Sequence, residues 1–348
     1  SSLVVALMAR VSSQPPRTFT IGFEETSYDE SPFAKRIAQH LGTDHTELIV
    51  SESDALAIVP QLGRMYSEPF ADSSQIPTRL VSELARQSVT VALSGDGGDE
   101  LFGGYDRYRL WPRLANVQRV VPHVARYALA TGGEAVTSRL MSGKRSDRVR
   151  KLLRTLGAPN DSGYRTLMSD NPRASKLVVG SHDVSSYSHP ALTARGAQQA
   201  MLLDTLTYLP DDLLTKVDRA SMSVSLEVRV PLLDPEVFRF AWGLPDSTRI
   251  RDGQGKWILR QVLSRHVPTE LFERPKMGFG VPLGCWLSGP LHTWASQLLE
   301  PSALRSQGYL QPEAVTALWN EHSSGRTDRS AQLWPILMFQ SWLNEWAR

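Results

Sequence analysis

The chain has one cysteine, Cys285, among its 348 residues. That excludes an intrachain disulfide framework and any cysteine-rich metal site, and makes a reducing, cytoplasmic setting the expectation. No apolar run approaches the roughly 18 residues needed to cross a bilayer, so no span and no membrane partner are expected. An excess of one charge is missing too. Lys+Arg number 38 and Asp+Glu 36, which leaves no global positive field to hold nucleic acid. Two nucleotide-binding signatures are absent. No G-x-x-x-x-G-K-S/T string occurs, which excludes a standard P-loop, and G-x-G-x-x-G fails at Gly95 because position 100 is Glu. No internal repeat or low-complexity tract is evident.

What is present is organised around Val89 to Tyr105, V-T-V-A-L-S-G-D-G-G-D-E-L-F-G-G-Y. A β-branched apolar run breaks into Ser94-Gly95-Asp96-Gly97-Gly98-Asp99-Glu100 and then resumes as an apolar, helix-like segment. A buried strand that ends in a glycine turn before a helix puts its loop at the carboxyl edge of a parallel sheet, where α/β folds bind ligands. The glycines let the backbone approach a ligand and offer N–H groups to anions. Three acids in five residues repel one another and a phosphate, unless a divalent cation sits between them. Residue types alone leave a second reading open, an acidic turn that caps a helix and does no chemistry.

Upstream, Arg17–Phe23 and His45–Val50 read as strands, and Ser53–Tyr66 and Gln75–Arg86 as helices. Strands alternating with long crossovers predict a parallel sheet with helices on both faces, an α/β fold. From Arg107 onward strand-like runs become rare and Leu/Ala/Arg-rich helical periodicity takes over. The expected division is therefore an α/β core over 1–108 and a mostly helical part over 109–348 that completes the site. The basic segment Lys144–Lys151 reads either as a solvated helix face or as a partner surface. In Asp211–Asp234, Leu213, Leu214, Val217 and Met222 share one side of a helix, and Asp218-Arg219 and Glu227-Arg229 read as buried-type polar pairs. Lys256 opens a helix at Gly255-Lys256-Trp257, where a cation opposes the helix dipole and is better explained by an anion in front of it. The tryptophans of Trp334–Trp346 read as packing.

The string S-G-D-G-G-D-E-L-F-G-G-Y resembles the signature of the asparagine synthetase family, in the C-terminal synthetase domain of the glutamine-hydrolysing enzymes. Asp211–Asp234 and the Lys256 block, with the following Lys276 segment, resemble two further stretches of that domain. The resemblance runs from Ser1 to about Trp346. It implies an adenine nucleotide alpha hydrolase-like fold of the PP-loop ATP pyrophosphatase kind. It further implies that Ser1 and Ser2 close a pyrophosphate-binding loop, that Ile21 contacts adenine, and that Ser94, Gly95 and Gly97 contact the nucleotide. Asp99 becomes a Mg2+ ligand, Lys256 the catalytic cation, and Asp96 the acid that orients the amine or ammonia or serves as base. Lys276 reaches phosphate, while Asp72 and Ser73 lie near the site. The implied cofactors are ATP and Mg2+. The implied reaction adenylates a carboxylate, L-aspartate in the best-known members, and ammonia from glutamine then displaces AMP. An N-terminal glutaminase domain is the implied partner, and a homodimer the implied assembly. Because the phosphate loop is entered at Ser1, the chain alone is expected to be inactive. Asp96 stands where a β-lactam-forming relative would carry tyrosine, so the acid argues against that relative. Another carboxylate, for example in surface-polysaccharide modification, and a non-catalytic scaffold remain as alternatives.

Overall fold

A computed structural model describes residues 1–24, 29–140, 143–160, 162–169, 171, 174–181, 194–273 and 280–347. Along the chain the first elements are α1 (Ser2–Val11), β1 (Arg17–Phe23), α2 (Ser31–Leu41), β2 (Asp44–Val50), α3 (Glu52–Ile58), α4 (Leu62–Met65), α5 (Gln75–Arg86), β3 (Val91–Leu93) and α6 (Gly98–Phe102). Next come α7 (Arg107–Val120), α8 (His123–Leu140), α9 (Gly143–Gly157), α10 (Gly163–Met168), α11 (Ala197–Leu206), a π-helix at Leu209–Leu214, α12 (Thr215–Met222) and β4 (Glu227–Arg229). The chain continues through α13 (Pro235–Gly243), α14 (Asp246–Arg249), α15 (Trp257–Leu263), α16 (Thr269–Phe272), α17 (Leu283–Ser288), α18 (His292–Leu298), α19 (Pro301–Gln307), α20 (Pro312–Ser323) and α21 (Ser330–Trp346).

The expected strands at Arg17–Phe23 and His45–Val50 form, the second starting one residue earlier at Asp44, and pair in parallel from Arg17 opposite Asp44 to Phe23 opposite Val50. α2 supplies the crossover and packs on both strands. It ends at Gly42, whose φ of 64° gives the left-handed cap that other residues resist. The expected helix over Ser53–Tyr66 is broken. Ser51 and Asp54 form a reciprocal capping box for α3, and a 3-10 turn beginning at Val59-Pro60 then separates α3 from α4.

The single parallel sheet expected from the alternation is corrected. The described strands make two separate two-stranded parallel sheets, β1–β2 and β3–β4. β3 pairs with β4, a strand that sequence reasoning assigned to a stretch of polar pairs. Ser94 N donates to Arg229 O at 2.9 Å and Glu227 N to Thr90 O at 3.0 Å, so the pairing runs past both strand ends. Because Glu227 and Arg229 lie on this edge, their mutual 2.7 Å ion pair is exposed, not buried, and the 3.7 Å Asp218–Arg219 pair is exposed as well. Met222 is also 53% exposed, off the apolar side expected for it.

The chain divides into two compact units. The first comprises 1–106, 201–281 and 345–348, so the segment carrying α12, β4 and α15 folds with the α/β core and not with the helical part expected over 109–348. Its packing includes Ala6, Ile37, Leu263 and Val267 in one cluster and Leu101, Phe102 and Ala241 in another. The second unit comprises 107–200 and 282–344 and is helical in its described residues. Of the tryptophans in Trp334–Trp346, read as packing, Trp334 is buried, whereas Trp346 is 55% exposed and departs from that reading.

His322, 3% exposed, lies in the last turn of α20 in the second unit. Arg329 N donates to its Nδ1 at 3.2 Å, so Nε2 carries the proton and donates to Ser288 Oγ at 3.3 Å. With Asp328 at 3.7 Å the trio mimics a Ser-His-Asp triad. The tautomer is the wrong one for a general base, because the nitrogen facing the serine already holds a proton. Burial, opposed by Asp328, holds His322 below its ordinary pKa. A depressed folded-state value means this stability is fully present above about pH 6.5 and is lost as pH falls through the folded value. Thermal melts from pH 7.5 down to 5 should show the second unit losing stability, with His322→Gln flattening that slope.

Candidate active site

β3 delivers the S-G-D-G-G-D-E loop, and each of its acids goes a different way. Asp99, in the first turn of α6, accepts a 2.8 Å hydrogen bond from Lys256 Nζ. The two side chains are 19% and 31% exposed, so the pair is shielded but reachable. Lys256 caps α15 in a left-handed conformation, φ 55°, rare for a side-chain-bearing residue and typical of positions where function over-determines the backbone. Its own N–H donates to Phe102 O at 3.0 Å, which ties the lysine to the end of α6.

Ser1 closes the other side. A Cβ added to Gly95 would lie 2.2 Å from Ser1 N and 2.8 Å from Ser1 Cα, so the two backbones touch only because residue 95 has no side chain. The Ser1 side chain is exposed while its nitrogen is shut in. Lys256, Asp96 and Asp99 all lie within electrostatic reach of Ser1 N. Ser1, Gly95, Asp96, Asp99 and Lys256 therefore share one locus. Ser2 begins α1, and Gly97 is the N-cap of α6. Ser94 Oγ is buried without a hydrogen-bond partner among the described residues, the state of a hydroxyl placed for a ligand. Ile21 is not brought into the cluster by any described hydrogen bond; it is a 5% exposed strand residue opposite Leu48. Lys276 lies outside the described residues.

Glu100 departs from the expected trio of acids around a cation. It is buried and accepts a 2.5 Å hydrogen bond from Tyr105 Oη. Burial raises its pKa, and the Tyr105 bond opposes the rise. Tyr105 in turn meets Tyr208 edge-on at 6.0 Å. Asp99 and Asp96 are thus the carboxylates left for a metal. Mg2+ is held through one or two carboxylates plus phosphate oxygens, so this donor set fits it, although the described residues contain no group of three or more metal-ligating side chains.

Gly104 packs beneath the Asp99–Lys256 pair. A Cβ there would fall 2.0 Å from Asp99 Oδ1 and 2.5 Å from Lys256 Cε. Gly104→Ala should therefore push the pair apart and lower turnover by about a hundredfold, the usual cost of misplacing a catalytic group by an ångström. Steady-state assays beside a melting curve check it, with the melting temperature moving little.

One polar cluster went unrecognised in sequence. Lys216, at the start of α12, donates to Asp72 Oδ2 at 2.6 Å and to Ser74 Oγ at 2.7 Å. Ser74 Oγ donates to Asp72 Oδ2 at 2.7 Å, and its N–H to Oδ1 at 2.9 Å. Burial pulls the Asp72 pKa up, but the Lys216 charge and these hydrogen bonds outweigh it and hold it below the ordinary value. The loop before α5 is thereby tied to α12. No local signal marks the cluster, because Asp72 and Lys216 are far apart in the sequence.

The sequence profile of the asparagine synthase family matches residues 1–344. A glutamine-hydrolysing asparagine synthetase 1 of Bacillus subtilis is 30% identical over 98% of this chain and 54% of its own length. A putative glutamine-hydrolysing asparagine synthetase of Mycobacterium tuberculosis is 33% identical over 98% of this chain and 52% of its own. The amidase chyE of Penicillium rubens is 25% identical over 86% and 48%. The chain spans about half the length of these curated relatives.

Proposed function

The chain belongs to the asparagine synthase family, and from that premise we propose that it adenylates a carboxylate with ATP and transfers the acyl group to ammonia. L-Aspartate is the proposed acid and asparagine the product, with ammonia drawn from glutamine as the relatives' names describe for those proteins. The observation that carries this reading is the Lys256–Asp99 pair, set against the Ser1–Gly95 backbone contact at the end of β3.

A carboxylate oxygen attacks the α-phosphorus, the bond to the bridging oxygen breaks, and pyrophosphate leaves. Charge accumulates on the α-phosphate oxygens, and Lys256, already aimed by Asp99 and by its own backbone, stabilises that charge in the transition state. Ser94 Oγ and the Gly95 and Gly97 backbone hold the nucleotide, and Ser1 and Ser2 hold the pyrophosphate. Bound Mg2+, taken by Asp99 with Asp96 near, would neutralise phosphate charge. In the second half, ammonia attacks the acyl carbon, AMP leaves, and the displaced proton passes to Asp96, which lies in the same locus as Ser1 and Lys256.

The test is pyrophosphate release by the full-length protein, glutaminase half included, from Mg-ATP with glutamine or ammonium and a panel of carboxylates. Aspartate-dependent release with asparagine formed supports the reading. Release with another acid alone keeps the mechanism and changes the substrate. ATP binding without release for any acid refutes it in favour of a scaffold.

A further inference from the structure

Lys256 stands on a floor of two glycines. A Cβ at Gly104 would lie 2.0 Å from Asp99 Oδ1 and 2.5 Å from Lys256 Cε. One at Gly255 would lie 2.3 Å from Gly103 O and 3.2 Å from Gly104 Cα. The Asp99–Lys256 pair and the backbone just before Lys256 therefore rest directly on Gly103 and Gly104. Neither glycine has room for a side chain that would pin it by packing, since a Cβ at Gly103 would meet Ile250 Cγ1 at 2.7 Å. Gly103 also sits at φ 71°, the left-handed cap of α6. Glycine gives up more backbone freedom on folding than any other residue, so a floor made of two needs a constraint from outside.

Backbone bonds secure the near end of that turn. Gly104 N donates to Asp99 O at 2.9 Å, and Lys256 N to Phe102 O at 3.0 Å. The far end leaves through Tyr105. Its hydroxyl reaches back over the glycines and donates to Glu100 Oε1, five residues upstream, at 2.5 Å. Glu100 stands beside Asp99 in α6 and is 1% exposed. The Tyr105 ring is met edge-on at 6.0 Å by Tyr208, the residue that leads into the π-helix. The bond thus closes a ring of chain from 100 to 105, with one end in α6 and the other just past the glycines.

Ending α6 does not require this bond. The left-handed Gly103 and the Gly104 N–H to Asp99 O already cap the helix. A carboxyl group and a phenol must both be dehydrated to meet here, which costs free energy that an apolar pair would not. What the bond adds is a fixed exit for the two glycines beneath Lys256.

We propose that the Tyr105–Glu100 hydrogen bond is a positioning clasp, which holds the Gly103-Gly104 turn closed so that Lys256 and Asp99 keep the geometry turnover requires. The proposal rests on the reading of Lys256 as the cation that meets developing phosphate charge. Tyr105 and Glu100 are positioning residues: they act through Lys256 and Asp99, not on the substrate. With the clasp open, the glycines relax and the ammonium drifts from its aim. A donor that acts in the transition state tolerates little such drift, so the loss appears in turnover more than in affinity.

The test compares the parent with Tyr105→Phe and Tyr105→Phe/Glu100→Leu. The single change keeps the ring against Tyr208 and deletes only the donor. In the full-length protein, kcat for pyrophosphate release should fall by about ten- to a hundredfold, with KM for ATP held within about twofold. Tyr105→Phe should also melt lower, because Glu100 stays buried without its donor. The double variant removes both partners, so it should recover most of the melting temperature and none of the turnover. A bond that served stability alone would return activity together with stability. Hydrogen exchange gives a readout free of the chemistry. Without ligand, the peptide 98–105 should exchange about tenfold faster in both variants than in the parent, while β1 exchanges as before. The proposal is overturned if Tyr105→Phe keeps the parent's kcat, if turnover returns in the double variant, or if exchange over 98–105 is unchanged. The two readings fail separately. A parent that releases no pyrophosphate with any acid refutes the adenylation reading and with it the role in turnover, whereas an active parent whose Tyr105→Phe variant is equally fast overturns the clasp alone.

Discussion

Lys256→Met should lower ATP-dependent pyrophosphate release by about 10²- to 10³-fold, the usual loss when one preorganised donor to a developing oxyanion is removed. The competing account is that Lys256 merely neutralises Asp99, since the two are 2.8 Å apart. A double variant separates them. If the pair is only an ion pair, Lys256→Met/Asp99→Asn removes the orphaned charge and recovers what the single change lost. If Lys256 faces the α-phosphate, the double variant is at least as inactive as either single one, because the cation and a carboxylate for Mg2+ are both gone. Lys256→Arg should recover little, because a planar fork held on a strained left-handed backbone cannot place a point charge where the ammonium stood. Equilibrium binding of ATP should weaken far less than turnover falls, because the cation matters most where charge develops.

What could be read in advance and what could not divide along the range of the interactions. β1 and β2 were visible because each seven-residue run holds three β-branched residues, and a strand of that length declares itself locally. The Lys256 site was visible because a lysine at a helix start contradicts local preference. β4 was invisible. Its three residues, Glu227 to Arg229, have no periodicity to show, and they are extended only because β3, more than a hundred residues upstream, offers them a ladder. The same non-local pairing leaves the Glu227–Arg229 ion pair, expected to be buried, exposed. Glu100 misled for a related reason. In sequence it is one of three crowded acids that a cation would reconcile, but the Gly103-Gly104 turn brings Tyr105 back over it and buries the carboxyl under a phenol. Lys216 was passed over because its partner, Asp72, is far from it in sequence, so nothing local to either one announces the contact.

Lys216→Met should be the most damaging single change to stability in the first unit, costing about 3–5 kcal/mol and lowering the melting temperature by on the order of 10 °C. The lysine side chain is 9% exposed and Asp72 22%, so its removal leaves a carboxylate in low dielectric with only Ser74 to hold it. Taking two charges out of water is expensive, and the pair is worth less than the damage done by breaking it. Lys216→Met/Asp72→Leu should therefore recover much of the lost stability, and failure to recover would mean that the Ser74 contacts matter more than the charges. The pH profile gives an independent reading. Asp72 is held below its ordinary pKa, so the contribution is fully present above about pH 4 and disappears as pH falls through the folded value. The parent should lose that increment in acid. In Lys216→Met the cation that holds Asp72 down is gone and burial remains, so the shift should reverse. A raised folded-state pKa destabilises at neutral pH, where the carboxylate must stay charged, and the penalty should shrink on acidification. The melting curves of parent and variant should therefore converge as pH approaches 4, and parallel curves would show that Asp72 and Lys216 are not coupled by charge.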